Sequence, residues 1–130
     1  MNDKIFVLLG MIFCHVMDDY RLQGILASMK QKSLWKKNAP GFLYSRDYLM
    51  ALGMHSFSWT FMIMLPIAIR QRFEVGVFFV VLMLANLIIH FLVDDFKANK
   101  SRINLIIDQC IHLAQILCTF ATWTLSSCNI

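Results

Sequence analysis

All four histidines of the chain, His15, His55, His90 and His112, fall inside apolar stretches, and three have an aspartate four residues away: His15 with Asp19, His90 with Asp94, and His112 with Asp108. In an α-helix that spacing sets both side chains on one face. With only eight acidic residues in the chain, a histidine meets an acid at this spacing roughly one time in eight by chance, so three pairs among four histidines form a pattern. Imidazole and carboxylate together suit a divalent transition metal: zinc first, with manganese or iron as alternatives. The seven donors His15, Asp19, His55, His90, Asp94, Asp108 and His112 exceed the needs of one tetrahedral ion. One or two ions are therefore expected, with surplus groups orienting the ligands. Gln23 and Gln109 are candidates for that supporting role, and Gln115 for a hydrogen bond between helices. Asp18 and Asp95 point about 100° away from their paired neighbours on an ideal helix and are expected at the surface or in loops.

Four helices must deliver these groups. The pattern predicts them over about 4–29, 47–69, 73–96 and 103–125, with a basic connection over 30–46, as one domain covering 1–130. Counting inward from Arg21, Arg46, Lys97 and Arg102, each histidine lies six to ten residues along its helix, or roughly 9 to 15 Å. A shared depth is what a shared site requires.

Composition says which solvent surrounds those helices. The chain is 58% hydrophobic and 15% charged, with a mean hydropathy of +0.61, where soluble domains carry about a quarter charged residues. The expectation is an all-α, polytopic bundle of four transmembrane helices in the cell (inner) membrane. The first apolar run, Ile5 to Met17, has the length of a signal-peptide core, but no small-residue cleavage site follows, so it is expected to be retained. The basic residues of 30–46 and of Lys97 to Arg102 outweigh those between the second and third helices. That predicts cytoplasmic first and third loops and both termini outside the cytoplasm.

The net charge of +4 and pI near 9.0 do not imply a nucleic-acid partner, because the basic residues lie in connections rather than on one face. Lys30, Lys32, Lys36 and Lys37 are expected to solvate a loop or to attract lipid headgroups or an anionic substrate. Trp35, Trp59 and Trp123 are expected at membrane interfaces. Cys14, Cys110, Cys118 and Cys128 show no metal-type spacing, and they and the nine methionines are expected as apolar packing.

The runs H-V-M-D-D-Y-R-L-Q (15–23), H-F-L-V-D (90–94) and D-Q-C-I-H (108–112) resemble, over essentially the whole chain, a domain-of-unknown-function family of small bacterial and phage membrane proteins. The resemblance implies a four-helix membrane protein with His15, Asp19, Gln23, His55, His90, Asp94, Asp108, Gln109 and His112 as site positions. It supplies no reaction. A more distant similarity is to membrane-bound metal-dependent hydrolases.

The leading functional expectation is a metal-dependent hydrolase at the cytoplasmic face, acting on a lipid-linked or otherwise membrane-accessible phosphoester, its partners being the lipid bilayer and a second copy of the chain. A metal-ion or proton transport module is the alternative, which an apolar outer half argues against. A third reading is a membrane interaction protein with a structural metal, and a fourth is that the same side chains only hydrogen-bond the helices together.

Overall fold

A computed structural model describes residues 2–127, and Cys128 lies outside them. Among the described residues the chain is all-helical, without strands. The long helices are α1 (Asn2–Met17), α4 (Asp47–Arg70), α5 (Val77–Ala98) and α6 (Leu105–Ser126), with α2 (Leu26–Met29) and α3 (Lys32–Asn38) as short pieces between the first two. Among the described residues three helices are long and apolar enough to cross a membrane: α4 with its preceding turn from Phe42, α5 and α6. At 16 residues, α1 reaches about 24 Å and is not one of them.

The first helix departs from the expected single run over 4–29. After Met17 the backbone widens into a π-helical turn over Asp18–Leu22, closed by the Gln23 N–H donating to the Asp18 carbonyl at 2.9 Å. Gly24 then takes a left-handed φ of +49°, ending the helix before α2 begins. The 30–46 connection likewise contains structure, namely α3 and a 3₁₀ turn over Phe42–Tyr44. The third helix starts at Val77 rather than at residue 73. Arg72 and Phe73 are both left-handed, and the Phe73 N–H reaches back to the Ala68 carbonyl at 2.8 Å to close α4. Asn104 caps α6 by accepting from the Ile107 N–H at 2.9 Å.

Packing runs α1 on α4, α4 on α5, α5 on α6 and α6 back on α1, closing a ring of four helices. Gly10 permits a close approach of α1 to α4: a Cβ there would meet Pro66 Cγ at 3.2 Å. Inside the ring are two layers. Val7, Met11, Ile63, Met64, Ile67, Ile116 and Trp123 form an apolar core towards one end, while the buried histidines and aspartates occupy the other, nearer the 30–46 segment. That segment is tied to the turn between α5 and α6, since Asn99 Oδ1 accepts from the Lys32 N–H at 2.7 Å and Asn99 Nδ2 donates to the Lys30 carbonyl at 3.2 Å. The outward faces are apolar, with Phe6, Phe13, Phe61, Val81, Leu84, Ile88, Ile106 and Leu117 all exposed.

The apolar half is not wholly apolar, which corrects the sequence expectation. Asn86 on α5 donates to Thr119 Oγ1 at 2.9 Å, and Gln115 donates to Asn86 Oδ1 at 2.8 Å, forming a buried polar bridge between α5 and α6. Trp59 and Trp123 are buried rather than at interfaces, because α4 lies between α1 and α5 and turns Trp59 into the middle of the ring.

Candidate metal centre

Each long helix supplies part of one cluster. His15 comes from the last turn of α1 and Asp18 and Asp19 from the π-helical turn, while α4 contributes His55 and Trp59, α5 His90 and Asp94, and α6 Asp108, Gln109 and His112. The π turn matters here. On an ideal helix Asp18 and Asp19 diverge by about 100°, but the wider turn lets both face inward. Asp18 is buried, accepts from Ser58 Oγ at 2.5 Å, and has Oδ2 3.5 Å from His55 Nδ1. The expectation that Asp18 is a surface residue is therefore corrected. Asp95 does lie on the periphery, paired with Lys100 at 3.1 Å.

Hydrogen-bond directions separate the imidazoles into two kinds. The indole N–H of Trp59 can only donate, and it does so to His15 Nδ1 at 2.8 Å. His15 Nε2 then carries the proton and donates to Gln109 Oε1 at 3.1 Å. The Gln109 amide passes its two hydrogens to Asp19 Oδ2 and Asp108 Oδ2, each at 3.1 Å. His15 thus has both nitrogens engaged beside the cluster, 3.8 Å from Asp19.

His55 is oriented differently. Gln23 Nε2 donates to its Nε2 at 2.9 Å, so the ring proton is on Nδ1, facing Asp18. A carboxylate behind Nδ1 is the arrangement by which proteins orient metal-ligating histidines, and Nε2 would exchange its Gln23 hydrogen bond for an ion on ligating one. His55 Nε2 lies 3.2 Å from His90 Nε2, 3.3 Å from Asp94 Oδ2 and 3.6 Å from Asp19 Oδ1. Ligands at 2.0–2.1 Å from a tetrahedral ion stand about 3.3 Å from one another, the range in which His55 Nε2 meets these neighbours. His112 Nε2 is 3.3 Å from Asp108 Oδ1 and 3.6 Å from Asp94 Oδ1.

Two trios have ligand atoms within 4.8 Å of one another and could hold a metal ion: Asp19, His55 and His90, and His90, Asp94 and His112. His90 belongs to both. Neither trio includes His15 or Asp108, so of the seven candidate ligands the structure gathers five into the trios and sets the other two immediately beside them.

Electrostatics gives a second reason for a cation. Asp18, Asp19, Asp94 and Asp108 face two ammonium groups: Lys30 Nζ donates to Asp94 Oδ2 at 2.5 Å, and Lys97 Nζ to Asp108 Oδ2. Four carboxylates thus face two ammonium groups, an arrangement that favours further positive charge among them, on an imidazole or on an ion. His112 Nε2 and Asp108 Oδ1 face each other at 3.3 Å, while Nδ1 of His90 and Nδ1 of His112 are buried without a hydrogen-bond partner. Such orphaned groups each cost about 1–3 kcal/mol.

Lys30 corrects a further expectation. It is 8% exposed and points into the cluster, whereas Lys32, Lys36 and Lys37 are exposed on the 30–46 segment. The sequence reading also missed Trp59, whose ring stacks on His90 with centroids 4.1 Å apart and planes within 15°. One signal was present: Trp59 follows His55 by one helical turn and so shares its face. Lys30 had none, because its position depends on how α2 folds back. A cavity of about 180 Å³ opens on the cluster, lined by Asp19, Tyr20, Gln23, Lys30, Asp94, Lys97, Leu105 and Gln109.

No family model matches this chain, and neither a curated protein nor a solved structure matches it.

Proposed function

We propose that the chain is a membrane-embedded, metal-dependent hydrolase with one divalent ion, zinc in the first instance, held by Asp19, His55, His90, Asp94 and His112. The observation carrying this reading is the buried cluster itself: two trios of histidine and aspartate ligand atoms within 4.8 Å of one another, with partnerless imidazole nitrogens in the same layer. A single ion, rather than the two that the donor count also allows, is proposed because His90 is common to both trios. The membrane setting is supported by three helices of spanning length and by apolar outward faces around a polar interior. In this reading α1 and the π turn, continuous over Asn2–Leu22, form a fourth span.

Hydrolysis is favoured because the cluster is reachable. The 180 Å³ cavity is lined by Asp19 and Asp94 and would admit water and a substrate group, on the side where the exposed Lys32, Lys36 and Lys37 would meet headgroups. A bound divalent ion would supply polarisation of a water and of the attacked bond. The substrate class is a lipid-linked or membrane-accessible phosphoester.

A second reading, metal-ion transport, is favoured by one observation: the Asn86, Gln115 and Thr119 bridge carries polar groups beyond the cluster towards the other end of the ring. Elemental analysis of detergent-purified protein, never exposed to chelator, tests the common premise against Asp94→Ala/His112→Ala. One equivalent of metal, lost in the variant, supports the centre; no metal in either discards it. Phosphoester turnover by the metal-loaded protein, set beside metal uptake into proteoliposomes, then separates hydrolase from transporter.

A further inference from the structure

Two lysines reach the cluster from outside the histidine-bearing layer. Lys30 descends from the end of α2 and Lys97 from the last turn of α5, and both line the 180 Å³ cavity beside the amides of Gln23 and Gln109. Lys30 is bonded to Asp94 Oδ2, which lies 3.3 Å from His55 Nε2, and Lys97 to Asp108 Oδ2, on the carboxylate whose other oxygen is 3.3 Å from His112 Nε2. A divalent cation held by the trios would compete with Lys30 for Asp94 and repel both ammonium groups. Their flexible four-carbon stems let them turn into the cavity, where two adjacent positive charges need an anion.

We propose that Lys30 and Lys97 are exchangeable counter-ions that a divalent ion releases to form an anion subsite over the metal centre, taking a phosphoryl group. This rests on the metal reading above and gives its substrate class a place to bind. Without the ion, the excess carboxylate charge repels a phosphate; with it, the carboxylates are compensated and the lysines are free. Metal and phosphoryl binding are therefore coupled, and by linkage each tightens the other by the same factor. The phosphoryl group can be that of a lipid headgroup or of a soluble phosphate.

The test titrates zinc, buffered by a competing chelator, into the full-length protein in detergent, alone, with inorganic phosphate and with a short-chain phosphatidic acid. Phosphate is expected to tighten zinc binding about tenfold, within the usual range of such coupling. A larger effect of the lipid than of inorganic phosphate identifies a headgroup substrate, and equal effects a soluble one. Lys30→Gln/Lys97→Gln is expected to bind zinc at least as tightly as wild type and to lose the phosphate effect. Lys97→Gln alone, at a side chain one-third exposed, gives the same direction should the double variant fail to fold. Zinc binding indifferent to either phosphate overturns the subsite and leaves the metal centre standing. Weaker zinc binding in the variants, with the phosphate effect intact, makes the lysines structural counter-ions and also overturns the subsite. No zinc binding at all removes both.

Discussion

The indole of Trp59 donates its N–H to Nδ1 of His15 at 2.8 Å while its ring lies against the imidazole of His90. One side chain from α4 thereby fixes the tautomer of a histidine on α1 and the plane of another on α5. The two contacts are separable. Trp59→Phe keeps a ring against His90 and removes the donor, leaving the buried His15 Nδ1 unpaired, at a cost of about 1–3 kcal/mol. Denaturant titration of the purified protein should register that loss with metal content unchanged, whereas Trp59→Leu should lower both.

His90 and His15 should behave differently when truncated. His90→Ala removes a group common to both trios and should abolish stoichiometric metal. His15→Ala removes a residue held by Trp59 and Gln109 beside them and should keep the stoichiometry, with affinity about 10- to 100-fold weaker. Competition against a metal indicator measures both. Loss of stoichiometric metal in His15→Ala would show that His15 is itself a ligand.

Asp18 and Asp95 provide a matched pair. Asp18→Asn weakens the group behind His55 Nδ1 and should reduce metal affinity by about tenfold or more. Asp95→Asn gives up a partly exposed contact to Lys100, worth about 0–1 kcal/mol, and should leave metal affinity unchanged. The same competition assay decides whether burial by the π turn gives Asp18 its role.

Asn86→Leu removes the centre of the α5–α6 polar bridge and its bonds to Thr119 and Gln115. Interhelical hydrogen bonds in membranes average about 0.6 kcal/mol and reach about 1.7, so a loss of roughly 1–2 kcal/mol in detergent unfolding is expected at full metal content. Unchanged metal uptake into proteoliposomes would weigh against transport, because the bridge is the main polar contact beyond the cluster.

Orientation is testable by labelling single cysteines with a membrane-impermeant thiol reagent. Lys36→Cys should react only after the cytoplasmic face is opened, and Glu74→Cys should react from outside on intact cells. The reverse pattern would invert the topology without touching the site.

What the amino-acid sequence determined was whatever depends on residues one or two turns apart. Helical periodicity and apolar length located three of the long helices to within four residues at each end, and the four-residue spacing of histidine and aspartate put each pair on one face. The common depth of the four histidines also followed, because rise per residue is constant along a helix. Tertiary structure decided what depends on the relation between helices and on departures from ideal geometry. The π turn brought Asp18 inward where an ideal helix would turn it out. The position of α4 between α1 and α5 converted Trp59 from an expected interface residue into a link between two histidines. Lys30 became a buried partner of Asp94 only because Gly24 and α2 fold the chain back over the cluster. None of these has a local periodic signature: the pairing energy lies between residues 44 or more positions apart in sequence for Trp59 with His15, and 64 for Lys30 with Asp94, and only packing brings such groups together.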